Sequence, residues 1–160
     1  MNEPVKVRPA GLNDVDAIFE LLELYVAEGI VLKRTREDIR FFIGNFVVAE
    51  HAGQVCGCAA LRDFGNDLLE LRSVVIQPQF QGKGVGRVLV EELVENLRKQ
   101  RSGWRLFTLT TTPAFFKKLG FKEVEKELFP EKIWSDCSKC PKHSCCDEIA
   151  MLLESKGKQE

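Results

Sequence analysis

The chain has 160 residues, 44% hydrophobic and 29% charged, and its Lys and Arg total of 23 against 24 Asp and Glu gives a formal charge of -1. That length suits one domain able to bury about 70% of its unfolded surface, and the balanced charge excludes the clustered basic excess of a nucleic-acid footprint. No apolar run approaches the roughly 18 residues of a membrane span, and the N-terminus lacks the charged and apolar regions of a signal peptide; a cytoplasmic protein with reduced or metal-bound cysteines is expected.

In chain order, Val5 to Arg8 alternates as a short strand. Asn13 or Asp14 can cap a helix whose apolar stripe (Val15, Ile18, Leu21, Leu22 and Tyr25) repeats at helical spacing until Gly29 breaks it. Thr35 and Asp38 are spaced as a capping box, with Asp for the usual Glu or Gln, opening a second helix with Ile39, Phe42 and Ile43. Strands over 46–50 and 54–61 flank His51, Ala52 and Gly53 as a hairpin. A strand over 68–76 leads through a glycine-rich turn to a helix of about 83–100 that carries Val85, Val88, Leu89, Leu93 and Leu97. A strand over 104–111, a short helix over 113–119, a strand begun by Phe121 and a last strand over 147–153 follow, with 155–160 a flexible, solvated tail. This order describes a mixed α+β sheet around one central strand–helix–strand unit.

Gln81, Gly82, Lys83, Gly84, Val85 and Gly86 join that strand to that helix. Glycines let a backbone bend and approach a ligand with no Cβ in the way. The first-turn amides of a helix lack partners inside it, and its dipole favours negative charge there. The segment therefore reads as a cradle for a phosphate or pyrophosphate. A P-loop would need Lys and then Ser or Thr after its last glycine, where Arg87 and Val88 stand. A dinucleotide fingerprint would need its third glycine at residue 87 and an acidic residue at the end of the next strand; Thr108, Leu109, Thr110 and Thr111 offer none.

Gln81-x-x-Gly84-x-Gly86 instead resembles the Q/R-x-x-G-x-G/A signature of the GNAT acyltransferases, which bind acetyl-CoA. The resemblance runs over about residues 3–126. Residues Glu70 to Pro78 are similar to that family's fourth strand, and Ala114 to Phe121 to its Y-x-x-x-G-F segment. It implies the family's fold, a central, mostly antiparallel twisted sheet with a parallel strand–helix–strand unit splayed to receive acetyl-CoA. One domain over 1–154 would then carry a Cys-rich insertion at about 127–146.

By the same resemblance, main-chain groups of Val74, Val75 and Ile76 hold the pantetheine arm and the thioester carbonyl. Amides of residues 81–86 take the pyrophosphate, and Arg87 adds a charge. Glu70 falls where the family often places its general base, and on an ideal strand it shares a face with Arg72, Val74 and Ile76. A solvated or merely ion-paired Glu70 is the alternative. One departure stands out: the family's usual acid is a Tyr, and Phe116 occupies its place. Phe116, next to Phe115, can pack on the acetyl-CoA sulfur but cannot give a proton, and the one tyrosine, Tyr25, is far away in the first helix. The thiolate can leave unassisted or through water, because thiols (reference pKa about 8.5) are far more acidic than alcohols.

Apolar residues lead into Lys33 and Arg34 just before the second helix. Such cations can bind carboxylates, Arg bidentately, though adjacent loop cations are often merely solvated. Together with Leu109 to Thr111, Phe115 and Phe116, and the run Phe129 to Trp134 ahead of Cys137, Cys140 and Pro141, this segment resembles one subgroup. It is the short, single-domain amino-acid N-acetyltransferases of the N-acetylglutamate synthase type. The implied reaction is direct attack of the α-amino group of L-glutamate on the thioester in a ternary complex, giving N-acetylglutamate and opening arginine biosynthesis. Lys33, Arg34 and Arg72 would bind the carboxylates. A homodimer stays open; neither nucleic acid nor membrane is expected as a partner.

Cys137, Cys140, Cys145 and Cys146 lie within ten residues, with His143 among them. Three thiolates at that spacing could share a structural zinc, with His143 or Cys146 as fourth ligand. A second C-x-x-C is lacking, so a reduced Cys-rich loop over the substrate site and a redox-switching disulfide compete with it. Cys56 and Cys58 read as core. Two other functions stay open: acetylation of another small amine or a protein N-terminus, and a non-catalytic acetyl-CoA-sensing or interaction module, which the missing tyrosine motivates.

Overall fold

The computed structural model describes residues 4–29, 31, 33–128 and 148–155. Among the described residues the seven strands are β1 (Lys6–Pro9), β2 (Phe46–His51), β3 (Gln54–Gly65), β4 (Leu68–Ile76), β5 (Arg105–Thr110), β6 (Lys122–Val124) and β7 (Ile149–Glu154). The helices are α1 (Val15–Val26), α2 (Arg36–Phe41), α3 (Val85–Gln100) and α4 (Pro113–Lys118). The strands form one mostly antiparallel sheet in the order β1-β2-β3-β4-β5-β7-β6, with β4 and β5 parallel. Parallel neighbours need a crossover, and α3 supplies it. This is the mixed sheet read from the sequence.

Two compact units make up the chain: Met1–Leu61 with Arg72–Asn96, and Arg62–Leu71 with Leu97–Glu160. In the first, the α1 stripe of Val15, Ile18, Leu21, Leu22 and Tyr25 packs with Ile39, Phe46, Val48, Cys58, Ala60 and Val75 in one buried cluster. Cys56 and Cys58 are buried thiols. In the second, Leu68, Phe107, Ala150 and Leu152 form a smaller cluster, with Phe64, Leu109 and Val124 packed against it.

The β2–β3 hairpin closes on two residues, Ala52 and Gly53, both with positive φ (52° and 81°). Such a turn matches the right-handed twist of the strands it joins. A bulge interrupts the ladder at Ala49/Glu50, just before the turn.

Several elements differ from their sequence reading. Neither Asn13 nor Asp14 caps α1 through its side chain. The Asp14 carboxylate instead accepts from both terminal nitrogens of Arg8 (2.9 and 3.0 Å) and from the Gly11 amide (2.7 Å), while Arg8 also reaches Glu50. Thr35 does cap α2, accepting from the Asp38 amide at 3.0 Å, but α2 ends at Phe41. Only Ile39 is fully buried there; Phe41 and Phe42 are exposed and stack edge-on at 4.8 Å. On α3, Val88 faces outward and Val90 and Val94 are buried beside Val85, Leu89, Leu93 and Leu97, so the stripe lies one position round from its expected place. β3 runs four residues beyond its expected end; Arg62 and Asp63 hid the continuation, and Arg62 lies over the Phe64 ring at 4.5 Å.

Candidate functional site

In the first unit, β4 delivers the chain into the glycine turn. Val75 is buried in the core cluster, while Val74 and Ile76 are half-buried beside it. Within β4, Ser73 has a φ of 57°. A non-glycine residue in that region is strained by roughly 1–2 kcal/mol and bends the strand as bulges do. The Ser73 carbonyl accepts from the Cys58 thiol at 3.5 Å. The Gln77 amide donates to the Cys56 carbonyl of β3 at 2.8 Å. Since N–H and C=O of one trans peptide point opposite ways, the Ile76 carbonyl faces away from β3.

Pro78–Phe80 makes one 3₁₀ turn before Gln81. Gly82 and Gly84 then have φ of 77° and 87°, and a Cβ on either would meet no protein atom within 4 Å. What demands glycine here is the left-handed backbone, not space. Gly86 is different: it sits in the first turn of α3. The Val88 amide donates to the Gly84 carbonyl (3.2 Å), so the amides just before it have no acceptor within the helix and are set for an anion. Lys83 is exposed on this turn. Arg87 pairs with Glu91 at 2.9 Å, one helical turn on, with both side chains more than half exposed. Such a pair is worth only about 0.3–0.5 kcal/mol, so Arg87 can swing to an anion at little loss.

The two neighbouring cations before α2 part company. Lys33 is exposed and bonds Glu23 of α1 at 3.1 Å. Arg34 is half-buried, with its guanidinium carbon 5.9 Å from the centroid of the buried Phe46 ring. Burial pushes the Cys58 thiol up to about 12, and the positive charge of Arg34 is near enough to pull against that rise. Arg72, at the start of this unit's share of β4, is half-buried. The next arginine, Arg36, is occupied structurally, bonding Asp16 at 2.8 Å and lying 4.1 Å over Phe19.

Tyr25 has a larger part than its sequence position suggests. It lies far along the chain from the turn, yet its hydroxyl donates to the Ile76 carbonyl and accepts from Gln81 Nε2, both at 2.6 Å. Burial raises its pKa, the Gln81 bond pulling the other way. The signal was a tyrosine in an apolar stripe: a buried hydroxyl needs a partner, and something across the core must supply it.

In the second unit, Glu70 is 4% exposed and stands opposite Phe107 in the β4–β5 pair. Ladder pairing with β5 covers Leu68 to Glu70; at Leu71 the carbonyl takes the Thr108 hydroxyl at 2.9 Å instead. Phe116 is buried edge-on between Phe115 and Phe121, with centroids at 4.9 and 5.2 Å. Cys137, Cys140, His143, Cys145 and Cys146 lie outside the described residues, so the zinc expectation does too; among the described residues no His, Cys, Asp and Glu group could hold a metal. Nor is any described helix long and apolar enough to cross a membrane.

A strand edge, a left-handed glycine turn and the open end of a helix follow one another here. Comparisons with known proteins identify the family. The family model described as acetyltransferase (GNAT) domain matches residues 43–123. An uncharacterized N-acetyltransferase of Chlorobaculum tepidum is 47% identical over 91% of this chain and 94% of its own length. The amino-acid acetyltransferase of Mycobacterium tuberculosis is 36% identical over 74% of this chain and 69% of its own length. Among solved structures, N-acetylglutamate synthase from Neisseria gonorrhoeae, complexed with coenzyme A and N-acetyl-glutamate, matches 98% of this chain with a TM-score of 0.84 at 28% identity. The chain spans 36% of that longer protein, and 30% of the amino-acid acetyltransferases of Salmonella arizonae and Escherichia coli.

Proposed function

The chain belongs to the GNAT acetyltransferases and is an acetyl-CoA-dependent N-acetyltransferase, and from that premise we propose that its acceptor is an amino acid, L-glutamate, with N-acetylglutamate as product and arginine biosynthesis as its setting. The observation that carries the reading is the similarity, over nearly the whole chain, to a synthase solved with coenzyme A and N-acetyl-glutamate.

The amides of residues 81–86 take the pyrophosphate, and the edge of β4 at Val74, Val75 and Ile76 holds the pantetheine arm and polarises the thioester carbonyl. The α-amino group attacks that carbonyl directly, with Glu70 as the base that accepts the amine proton. Phe116 packs and gives no proton; the thiolate departs unassisted, its conjugate acid having a reference pKa of about 8.5. Arg34 is the principal carboxylate ligand, bidentate and held inward over Phe46. Arg72 assists from β4, and Lys33, already engaged by Glu23, contributes least.

A panel of amino acids and simple amines, each offered with acetyl-CoA and followed by release of free CoA, tests the assignment. Fast release with L-glutamate alone supports it. Faster release with another amine moves the acceptor elsewhere within the enzyme class. Acetyl-CoA binding with no release on any amine would turn the reading to a sensing module.

A further inference from the structure

We infer that Tyr25 is a positioning residue for the acetyl-CoA turn, acting through Gln81; the inference rests on reading residues 81–86 as the pyrophosphate cradle. Its hydroxyl makes two 2.6 Å bonds in opposite senses, giving its proton to the Ile76 carbonyl and taking one from Gln81 Nε2. The first ends on the free edge of β4, the second on the first residue of the turn. One atom thus ties together the two main-chain segments that must grip the same extended ligand.

The anchor is enclosed where the turn is open. Tyr25 is 9% exposed and packed in the cluster that contains Ile18, Leu22 and Val75. Residues 81–84 are exposed, and two of the four are glycines with positive φ. A turn of that composition has many unbound conformations, and fixing them on binding opposes association. Holding Gln81 in advance removes part of that penalty. Two bonds sharing one hydroxyl also polarise each other, so loss of either weakens the other. A phenol is protonated at neutral pH in any case, and burial raises its pKa further, so it can donate.

Tyr25→Phe keeps the ring in its packing and deletes only the hydroxyl; Gln81→Leu deletes the other partner at an exposed position. Acetyl-CoA affinity measured by titration calorimetry needs no acceptor, and so stands apart from the identity of the amino acid. Each single variant should bind acetyl-CoA about five- to tenfold more weakly, the size of one lost hydrogen bond. The double variant should bind no more than about twofold more weakly than the poorer single. In turnover, the acetyl-CoA KM should rise by the same factor with the acceptor KM little changed, and the melting temperature should fall by about 2–4 °C for each bond lost. Single variants within twofold of the parent protein, or losses that multiply in the double, would overturn the inference while leaving the turn as an acetyl-CoA site. A parent protein that does not bind acetyl-CoA would overturn both. Should Tyr25→Phe fail to fold, unchanged affinity in Gln81→Leu is enough to sink it.

Discussion

Gly57 shows how closely β3 approaches the C-terminal end of β4. Its φ lies outside the left-handed region, so its backbone would accept any residue. Space is what a side chain lacks there. A Cβ would come within 2.9 Å of Ile76 Cδ1, 3.2 Å of the Val75 carbonyl oxygen and 3.3 Å of Leu89 Cδ1. The two methyl groups can rotate aside, but the carbonyl moves only if β4 moves. Overpacking of this kind destabilises by about 1–3 kcal/mol. Replacing a strand glycine returns about 0.5–1 kcal/mol through the unfolded chain; the immovable carbonyl puts the overpacking in the middle to upper part of its range, which leaves Gly57→Ala about 1–2 kcal/mol less stable. For a chain of this length each kcal/mol lowers Tm by about 2–4 °C, so a thermal melt should shift down by about 2–8 °C, with a matching drop in urea midpoint. Because the shift falls on Val75 and Ile76, acetyl-CoA affinity should fall as well. An unchanged or higher Tm would refute the steric reasoning; a lower Tm with unchanged affinity would refute its extension to the ligand.

Arg34→Ala should raise the glutamate KM by about tenfold or more, the loss of a charged hydrogen-bonding partner, with acetyl-CoA KM steady, whereas Lys33→Ala should change it less than threefold; equal effects would undo the distinction drawn between inward and outward cations. Glu70→Gln should lower kcat by about 10²–10⁴-fold if the carboxylate is the base, and a kcat within a few fold of the parent would leave Glu70 a structural residue. The Arg8 hydrogen bonds, aided by the Gly11 amide and opposed by burial, lower the pKa of Asp14. A depressed carboxylate stabilises the fold above its unfolded pKa of about 3.9 and loses that contribution as pH falls through the folded value. Asp14→Asn should therefore melt lower than the parent at pH 7, with the gap closing below about pH 4; a constant gap across that range would contradict the linkage. Ala52 adopts a φ of 52° in the hairpin turn, so Ala52→Gly should stabilise by about 1 kcal/mol, read from urea unfolding, and destabilisation there would argue against the turn geometry.

The parts of the molecule written in local pattern were legible. Alternation, helical stripes and glycine punctuation gave the order of strands and helices, and the turn was recognisable because its glycines stand between a strand and a helix. Where the pattern was ambiguous the structure decided otherwise. α3 offers apolar residues on either side of Leu89, and only packing chose Val90 and Val94 over Val88. Arg62 and Asp63 read as the end of β3, yet the strand continues because ladder pairing does not require apolar side chains. Asp14 reads as a helix cap until Arg8, from the preceding strand, claims its carboxylate. Tyr25 was legible only in part, because the stripe shows that its hydroxyl needs a partner and not which one. Its partners lie 51 and 56 residues onward, and no local spacing encodes a hydroxyl that bridges a strand end to a turn. Lys33 and Arg34 look equivalent as neighbours, and only Glu23 on one side and Phe46 on the other separate them.

The two buried thiols of β3 have a use unrelated to catalysis. Thiol reagents attack the thiolate, and Cys58, fully enclosed with its pKa pushed to about 12, presents almost none while the hairpin is closed. Cys56 is enclosed too, with burial raising its pKa. Alkylation at these positions therefore waits on opening of the strand, and its rate is a clock for that opening. Read by mass at Cys56 and Cys58, the clock would show whether ligands that settle on β4 also slow the breathing of the strand beside it.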